Sequence, residues 1–202
     1  MLIFRKYSTK NRIMKNTRRN FLKKISVAGI LTPLITEEVL AYPVITKRKL
    51  RVALCGLGSY ATNQLAPGIE KSKNCELVGI VTGTPEKAAK WKEKYKLQDK
   101  NIYNYENFDQ IATNPDIDVV YIVLPNSMHA DFVIRTAKAG KHVITEKPMS
   151  ISVKEAKEMI EFCQKAGVKL GVGYRLHYEP FTQEIMRLVK DKDFGKVKFV
   201  ET

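Results

Sequence analysis

The sequence contains little cysteine, no internal repeat and no apolar segment long enough to cross a bilayer. Its three cysteines, Cys55, Cys75 and Cys163, are odd in number and their spacing fits no metal site, so we predict neither a disulfide nor a bound metal. The most apolar stretch near the N-terminus, residues 25–35, is eleven residues long and contains Pro33. It is too short for a transmembrane helix, and we expect no stable membrane anchor.

Acidic residues are absent from the first 24 positions, which hold nine lysines and arginines. The formal net charge of +14 is therefore unevenly distributed, since residues 42–202 carry 26 basic and 19 acidic residues, a net charge of +7. Charges of both signs are interspersed in that region, which favours a solvated surface, suited to an anionic ligand, over a nucleic-acid groove. We expect no nucleic-acid partner.

The first 41 residues have the layout of a secretory signal. Arg18 and Arg19 precede the short apolar stretch, and small or aliphatic residues end at Ala41. This order is typical of a twin-arginine signal, and a disordered basic tail is the alternative. We predict a signal peptide at 1–41, a linker at 42–48, the twin-arginine export machinery as a partner and a periplasmic or other extracytoplasmic location.

A strand followed by a glycine-rich turn begins the globular region. Residues 50–55 are almost continuously apolar, as expected of a strand covered on both faces. The next six residues, GLGSYA, fit the pattern G-x-G-x-x-A and precede a predicted helix. In this pattern the first glycine permits a tight turn, the second lets a pyrophosphate approach the backbone, and the alanine lets helix and strand pack closely. Because another strand follows within about thirty residues, the motif predicts a dinucleotide site. Its expected contacts are Gly56, Gly58, Ser59, Tyr60 and Ala61.

No acidic residue ends the second predicted strand, CELVGIVTG, where a site that prefers NAD places an Asp or Glu on the ribose hydroxyls. Thr82 and Thr84 offer hydroxyls there instead, and Lys87 offers a cation, while Glu86 already lies in the next predicted helix. An acid would repel a 2′-phosphate, whereas hydroxyls and a lysine bind one. We therefore predict NADP as the cofactor, with NAD as the alternative. Thr84 and Pro85 would also begin the helix, and the two roles are compatible.

Strands and helices continue to alternate along the chain. Further strands are predicted at 118–125, 141–145 and 168–174, and helices at 85–95, 107–113, 126–140 and 152–167, the last with Ser152 and Glu155 as a capping box. This alternation predicts a Rossmann-type, doubly wound parallel sheet of the α/β class over residues 49–176.

Ligands of such sheets bind beyond the carboxyl ends of the strands. The unusual polar clusters of the chain all lie at those predicted ends, namely Gly56–Gly58, Thr82–Thr84, Pro125–Asn126, Glu146–Pro148 and Tyr174–His177. We therefore expect Glu146 and Lys147 to lie beside the cofactor, near its nicotinamide end.

Three segments resemble one enzyme family. GLGSYA, DVVYIVLPNSMHADFVIRTAKAGKHVITEKPM and GYRLHYEP are similar to motifs of the Gfo/Idh/MocA oxidoreductases. Within the family the resemblance is closest to the periplasmic glucose–fructose oxidoreductase subgroup, which holds NADP tightly. The resemblance covers about residues 48–202 and implies hydride transfer between NADP and a small-molecule sugar or polyol.

The resemblance implies that Lys147 is the catalytic residue. In the family the lysine of the EKP motif lies near C4 of the nicotinamide and the reacting carbon of the sugar. It helps to move the hydroxyl proton while hydride passes to or from the cofactor. An ordinary surface lysine in the loop after a strand is the alternative.

The same resemblance assigns the neighbouring contacts. Glu146 would contact the nicotinamide ribose, and Pro148 would follow a cis peptide bond. The family's PNxxH motif and the residue before it would line the ribose and nicotinamide, which gives Leu124, Pro125, Asn126 and His129. The far wall of the pocket would consist of Tyr174, Arg175, His177 and Tyr178, with Arg175 as the expected contact.

The C-terminal segment resembles the beginning of a second domain. Family members have an α+β sheet domain that supplies most sugar contacts and the oligomer interface, and FGKVKFVET resembles its first strand. We therefore assign 177–202 to the start of that domain, expect a truncated enzyme with little or no turnover, and expect a homo-oligomer at full length. Two other readings stay open, an NAD-dependent glycosidase of the same superfamily and a non-catalytic dinucleotide-binding module. The intact EKP motif and the missing acid argue against the glycosidase.

Overall fold

The computed structural model describes residues 48–191 together with Gly195, Lys196, Lys198 and Phe199. The predicted signal peptide lies outside these residues, and so does the predicted linker apart from its last residue. Most of the predicted strand at 194–202 also lies outside them. The described residues all belong to one compact unit. No helix among them is long and apolar enough to cross a membrane.

Six parallel strands form one sheet in the order β3-β2-β1-β4-β5-β6. The strands are β1 (Leu50–Cys55), β2 (Cys75–Val81), β3 (Ile102–Tyr103), β4 (Val119–Ile122), β5 (His142–Thr145) and β6 (Leu170–Val172). This order confirms the predicted doubly wound Rossmann-type sheet. The direction of winding changes at β1, so the carboxyl ends of β1 and β4 flank the position where ligands of such sheets bind.

Helices cover both faces of the sheet. They are α1 (Ala66–Lys71), α2 (Pro85–Tyr95), α3 (His129–Lys138), α4 (Val153–Lys165) and α5 (Pro180–Asp191), with short 3-10 helices at Asp99–Asn101, Phe108–Thr113, Asn126–Met128 and Arg175–Tyr178. One core packs α3 and α4 against the sheet around Phe132, Val133 and Met159. The other packs Trp91 of α2 against Leu54 and Ile80. Burial on both faces explains why β1 and β4 have almost no alternation of polar and apolar residues.

The predicted boundaries differ from the observed ones at the ends of the elements. Strand β4 covers four residues instead of 118–125, and the helix predicted from Asn126 begins as a 3-10 turn. Ser152 caps α4 by accepting a hydrogen bond from the Glu155 amide at 3.2 Å. The Glu155 carboxylate accepts from the amide of Ile151, so the second half of the predicted capping box is displaced by one residue.

An ionic cluster fixes the amino-terminal edge of the sheet. Asp118 accepts hydrogen bonds from the backbone amide and the guanidinium of Arg51 and from the guanidinium of Arg48. The bonds from Arg51 hold the pKa of the Asp118 carboxyl well below its usual range. The cluster ties β1 to β4 at the edge opposite the expected ligand, so the register of the two central strands is held at both ends.

Candidate functional site

The turn after β1 has the geometry that the glycine pattern predicts. Gly56 has φ +96°, and a Cβ added there would lie 2.5 Å from the carbonyl oxygen of Val123. A Cβ added to Gly58 would meet nothing within 4 Å, and Gly58 and Ser59 are exposed. Gly56 therefore serves the close approach of the neighbouring strand, whereas Gly58 leaves open space above the backbone, as a pyrophosphate requires.

The helix that follows this turn begins with an unexpected feature. Residues Ala61–Leu65 form a π-helical turn before α1, and Ala61 is completely buried against the sheet. Gly58 is held by its carbonyl oxygen, which accepts from the amide and the hydroxyl of Thr62 at 3.0 and 2.8 Å. Such turns occur often at functional sites. Here the turn brings Tyr60 and Gln64 to the same cleft.

The three NADP contacts predicted near the end of β2 differ in their exposure and in the direction of their side chains. Thr82 is buried, and its hydroxyl accepts from the Thr84 amide at 3.3 Å, so it shapes the turn. Thr84 precedes α2, but its side chain makes no capping hydrogen bond. Lys87 is exposed, and its amine lies 3.5 Å from the carbonyl oxygen of Leu57 in the glycine turn. Of the three, Lys87 has its charge directed toward the predicted phosphates.

A cleft of about 710 Å³ opens beside the glycine turn at the carboxyl ends of the strands. Its lining includes Tyr60, Gln64, Leu124, Glu146, Lys147 and Arg175. The structure therefore brings Tyr60 of the glycine pattern, the EKP motif and the segment after β6 into one space. An open glycine turn joined to a large cleft fits a dinucleotide bound along the sheet edge.

Glu146 is nearly buried and is held by two hydrogen bonds. Its Oε1 accepts from the hydroxyl of Tyr121 at 2.6 Å, and its Oε2 accepts from the Lys147 amide at 3.2 Å. Among the described residues it has no ion-pair partner. A Cβ added to Gly173 would lie 2.7 Å from Glu146 Oε1 and 3.0 Å from the Tyr121 hydroxyl. Tyr121 and Gly173 were not predicted as site residues.

Lys147 is exposed at the wall of the cleft. The peptide bond between Lys147 and Pro148 is cis, which confirms the implication of the resemblance. The Lys147 amine has no hydrogen-bond or ion-pair partner among the residues that the structure describes. It is therefore available to a ligand hydroxyl.

His129 lies beneath the cleft and not on its surface. The side chain is completely buried. Its Nδ1 lies 2.9 Å from the Pro148 carbonyl oxygen, and its Nε2 lies 2.9 Å from the Leu124 carbonyl oxygen. The ring has no exposed surface in this structure, so the contact of His129 with the cofactor stays a prediction. The ring instead bridges the loop after β4 to the loop that carries Lys147.

The other predicted contacts fall into two groups. Leu124 is buried and reaches the cleft, whereas Pro125 and Asn126 are exposed at the carboxyl end of β4 without lining it. Of the predicted far wall, Tyr174 and Arg175 line the cleft. His177 and Tyr178 do not, and their rings contact each other at 5.1 Å.

The electrostatics of the cleft link its two walls. Burial raises the pKa of the Tyr60 phenol, the charge of Glu146 raises it further, and Arg175 opposes both. The pKa of Tyr60 therefore responds to charges on the segment after β5 and on the segment after β6. A ligand in this space would meet a neutral phenol, a carboxylate and two cations.

Comparison with known proteins agrees with this geometry. The family model described as "Oxidoreductase family, NAD-binding Rossmann fold" matches residues 50–174, more than half of the chain. The chain belongs to the Gfo/Idh/MocA oxidoreductase family. Members of this family bind NAD(P) on the Rossmann fold that the sheet order shows.

Three similar proteins are informative about this chain. A D-xylose 1-dehydrogenase [NADP(+)] from Haloarcula marismortui is 32% identical over 77% of this chain and 43% of its own length. An aldose-aldose oxidoreductase from Caulobacter crescentus, solved with glycerol, is 44% identical and superposes with a TM-score of 0.71 over 72% of this chain and 43% of its own. The 3-ketoreductase KijD10 from Actinomadura kijaniata, solved with NADP, is 22% identical with a TM-score of 0.64 over 71% of this chain and 44% of its own, and shows the shared fold. The chain thus spans less than half the length of these relatives.

Proposed function

We propose that this chain forms the cofactor-binding part of an exported NADP-dependent oxidoreductase that acts on sugars or polyols, of the glucose–fructose oxidoreductase type. One observation carries the proposal. Lys147, whose amine has no partner among the described residues, and Tyr60, two residues after Gly58, line the same cleft. A dinucleotide whose phosphates lie on that turn would therefore direct its other end toward Lys147.

The proposed division of labour follows from the positions of the residues. The nicotinamide, when bound, supplies the acceptor or donor of hydride. Gly58 and the start of the helix bind the diphosphate, and Lys87 binds the 2′-phosphate. Glu146 accepts a hydrogen bond from a ribose hydroxyl. Lys147 hydrogen-bonds the substrate oxygen. Its ammonium form gives that oxygen a proton when the substrate is reduced, and its neutral amine takes up the hydroxyl proton when the substrate is oxidised.

The relatives support the substrate class and the cofactor. They include an NADP-dependent xylose dehydrogenase and an aldose-aldose oxidoreductase, and the second is the more similar of the two. The twin-arginine pattern at 1–41 supports export, since that route carries folded proteins and lets a cofactor be captured before export. We propose a periplasmic or other extracytoplasmic location on the same ground, and a homo-oligomer on the ground of the family resemblance.

The chain is expected to bind NADPH about tenfold more tightly than NADH, because a lysine beside a 2′-phosphate contributes roughly 1.4 kcal/mol. Lys87→Glu should remove this preference, since it places a like charge at the phosphate. Lys157→Glu, an equal charge change on the exposed side of α4, should leave it unchanged. Fluorescence titration of the purified chain with both nucleotides measures the ratio. Tighter binding of NADH by the wild-type chain would refute the proposed cofactor.

Lys147→Met is expected to increase the affinity for NADP⁺ relative to that for NADPH by about fivefold. The oxidised nicotinamide is positively charged and the reduced ring is neutral, so an ammonium group nearby disfavours the oxidised form by roughly 1 kcal/mol after solvent screening. Lys147→Arg keeps the charge and should preserve the wild-type ratio. Calorimetric titration with each form gives the two dissociation constants. An unchanged ratio in Lys147→Met would mean that the amine does not lie near the ring.

A further inference from the structure

A carboxylate near the bottom of a cleft needs defined partners. Glu146 is only 9% exposed, and burial of an ionised carboxylate is costly unless hydrogen bonds replace its lost water. Only two hydrogen bonds to it are present among the described residues, from the Tyr121 hydroxyl and the Lys147 amide. The amide belongs to the adjacent residue and fixes little, because it moves with the same loop. The Tyr121 bond is the one that crosses to another strand.

The strand register explains why Tyr121 reaches Glu146. Tyr121 lies opposite Ile144 in the pairing of β4 with β5, and Glu146 is two residues beyond Ile144. Side chains two apart in a strand point to the same face, and diagonal neighbours are within reach of a long aromatic side chain. The Glu146 amide also donates to the Ile122 carbonyl at 3.0 Å, which extends the register past the end of β5.

Gly173, which directly follows β6, completes the arrangement around Glu146. Its amide donates to the Thr145 carbonyl at 2.8 Å, so its backbone is fixed beside Glu146. A Cβ on Gly173 would enter the space of Glu146 Oε1 and of the Tyr121 hydroxyl, at 2.7 and 3.0 Å. The hydrogen-bonded pair therefore requires the absence of a side chain at this position.

The phenol of Tyr121 is a constant donor. Burial raises its pKa above the ordinary range, and the hydrogen bond to Glu146 and the charge of Glu146 raise it further. The hydroxyl therefore stays protonated at any working pH. Its proton is donated to Oε1, and the Lys147 amide donates to Oε2, which leaves the remaining lone pairs of the carboxylate for a ligand in the cleft.

We propose that Tyr121 is a positioning residue that orients the Glu146 carboxylate for the nicotinamide ribose, and that Gly173 leaves the space this pair occupies. The inference rests on the proposed function, in which Glu146 accepts from a ribose hydroxyl. Tyr121 touches neither cofactor nor substrate. It acts through Glu146, and through the backbone of Glu146 it fixes the position of the adjacent Lys147.

The test compares two nucleotides that differ in the part that Glu146 is proposed to contact. NADPH carries the nicotinamide ribose, whereas 2′,5′-ADP carries only the adenosine half with its 2′-phosphate. Tyr121→Phe keeps the ring and removes the hydroxyl, and it should weaken NADPH binding about tenfold while 2′,5′-ADP binds as to the wild type. Gly173→Ala should weaken NADPH in the same way by displacing the carboxylate. Gly171→Ala is the matched control on the same strand, because its Cβ would meet only Ile144 and Val143 at 3.8 and 3.9 Å.

A double-mutant cycle separates positioning from a general structural role. If Tyr121 acts through Glu146, Tyr121→Phe has no further effect on NADPH affinity in a Glu146→Gln chain. Additive losses, a parallel loss of 2′,5′-ADP binding, or wild-type NADPH affinity in both Tyr121→Phe and Gly173→Ala would each overturn the inference. A wild-type chain that binds neither nucleotide would overturn the proposed function itself. Circular dichroism on every variant confirms that folded protein is being compared.

Discussion

Gly58→Ala is expected to weaken NADPH binding about a hundredfold without destabilising the protein. A Cβ at this position meets no protein atom within 4 Å, and Gly58 does not have the positive φ that disfavours other residues. The methyl group would occupy the space through which a pyrophosphate approaches the backbone. Displacing the phosphates weakens one or two charge-assisted hydrogen bonds, which is about 3 kcal/mol of binding free energy. Fluorescence titration with NADPH measures the loss.

Gly68→Ala provides the control for this prediction. Gly68 lies in α1, and its added Cβ also meets nothing within 4 Å. It should bind NADPH like the wild type, and urea denaturation should give both variants a midpoint at or above that of the wild type, since alanine lowers the entropy of the unfolded chain. If Gly58→Ala bound NADPH within threefold of the wild type, the diphosphate would not lie over this turn. The placement of the cofactor would then be wrong.

The gathering of the site residues at one edge of the sheet could be predicted, because it follows from local sequence patterns and one topological rule. Apolar runs alternating with helical patterns predict parallel strands, and the carboxyl ends of parallel strands meet at one edge of the sheet. That rule places Gly56, Glu146 and Arg175 together without any knowledge of side-chain contacts. The predicted ends of the elements were less accurate than their predicted order. Helix and strand termini depend on hydrogen bonds that the pattern does not specify.

The interior of the site could not be predicted in the same way. In β4 nearly every residue is apolar, so the pattern does not show which face Tyr121 occupies, and its distance from Glu146 depends on the register between β4 and β5. The only available signal is that Tyr121 is the one side chain in VVYI that carries a hydroxyl. His129 illustrates the reverse case, a residue whose side-chain direction the motif does not reveal. Its place in a family motif implied a ligand contact, but the first turn of α3 directs the ring inward to two backbone carbonyls.

Besides the two-residue strand β3, the sequence prediction lacks helix α5. Pro180 occupies its first turn, and Phe181, Ile185 and Val189 recur every four residues, which is the pattern of an amphipathic helix. These three side chains are exposed, so α5 gains little from packing within the described residues. The helical pattern of α5 was therefore visible in the sequence, but the surface against which its apolar side chains would pack was not.

Gly56→Ala is expected to cost about 3–5 kcal/mol of unfolding free energy, because two effects act together. The residue has φ +96°, and its Cβ would lie 2.5 Å from the Val123 carbonyl oxygen. That oxygen belongs to backbone that cannot rotate away, since the Val123 amide donates to the Cys55 carbonyl at 2.7 Å. The Gly56 amide in turn donates to the Val81 carbonyl at 2.9 Å. The turn is therefore fixed between β2 and β4, and relief of the clash would require the central strands to separate.

Gly140→Ala separates the two effects. Gly140 has φ +69°, but a Cβ there meets nothing within 4 Å, so this variant should lose only the conformational cost of a positive φ, about 1 kcal/mol. Urea denaturation of both variants at pH 7 gives the difference, which isolates the steric contribution at Gly56. Equal losses in the two variants would show that the strands yield to the methyl group. In that case the close approach of β1 and β4 would not be what makes glycine necessary at the start of the dinucleotide turn.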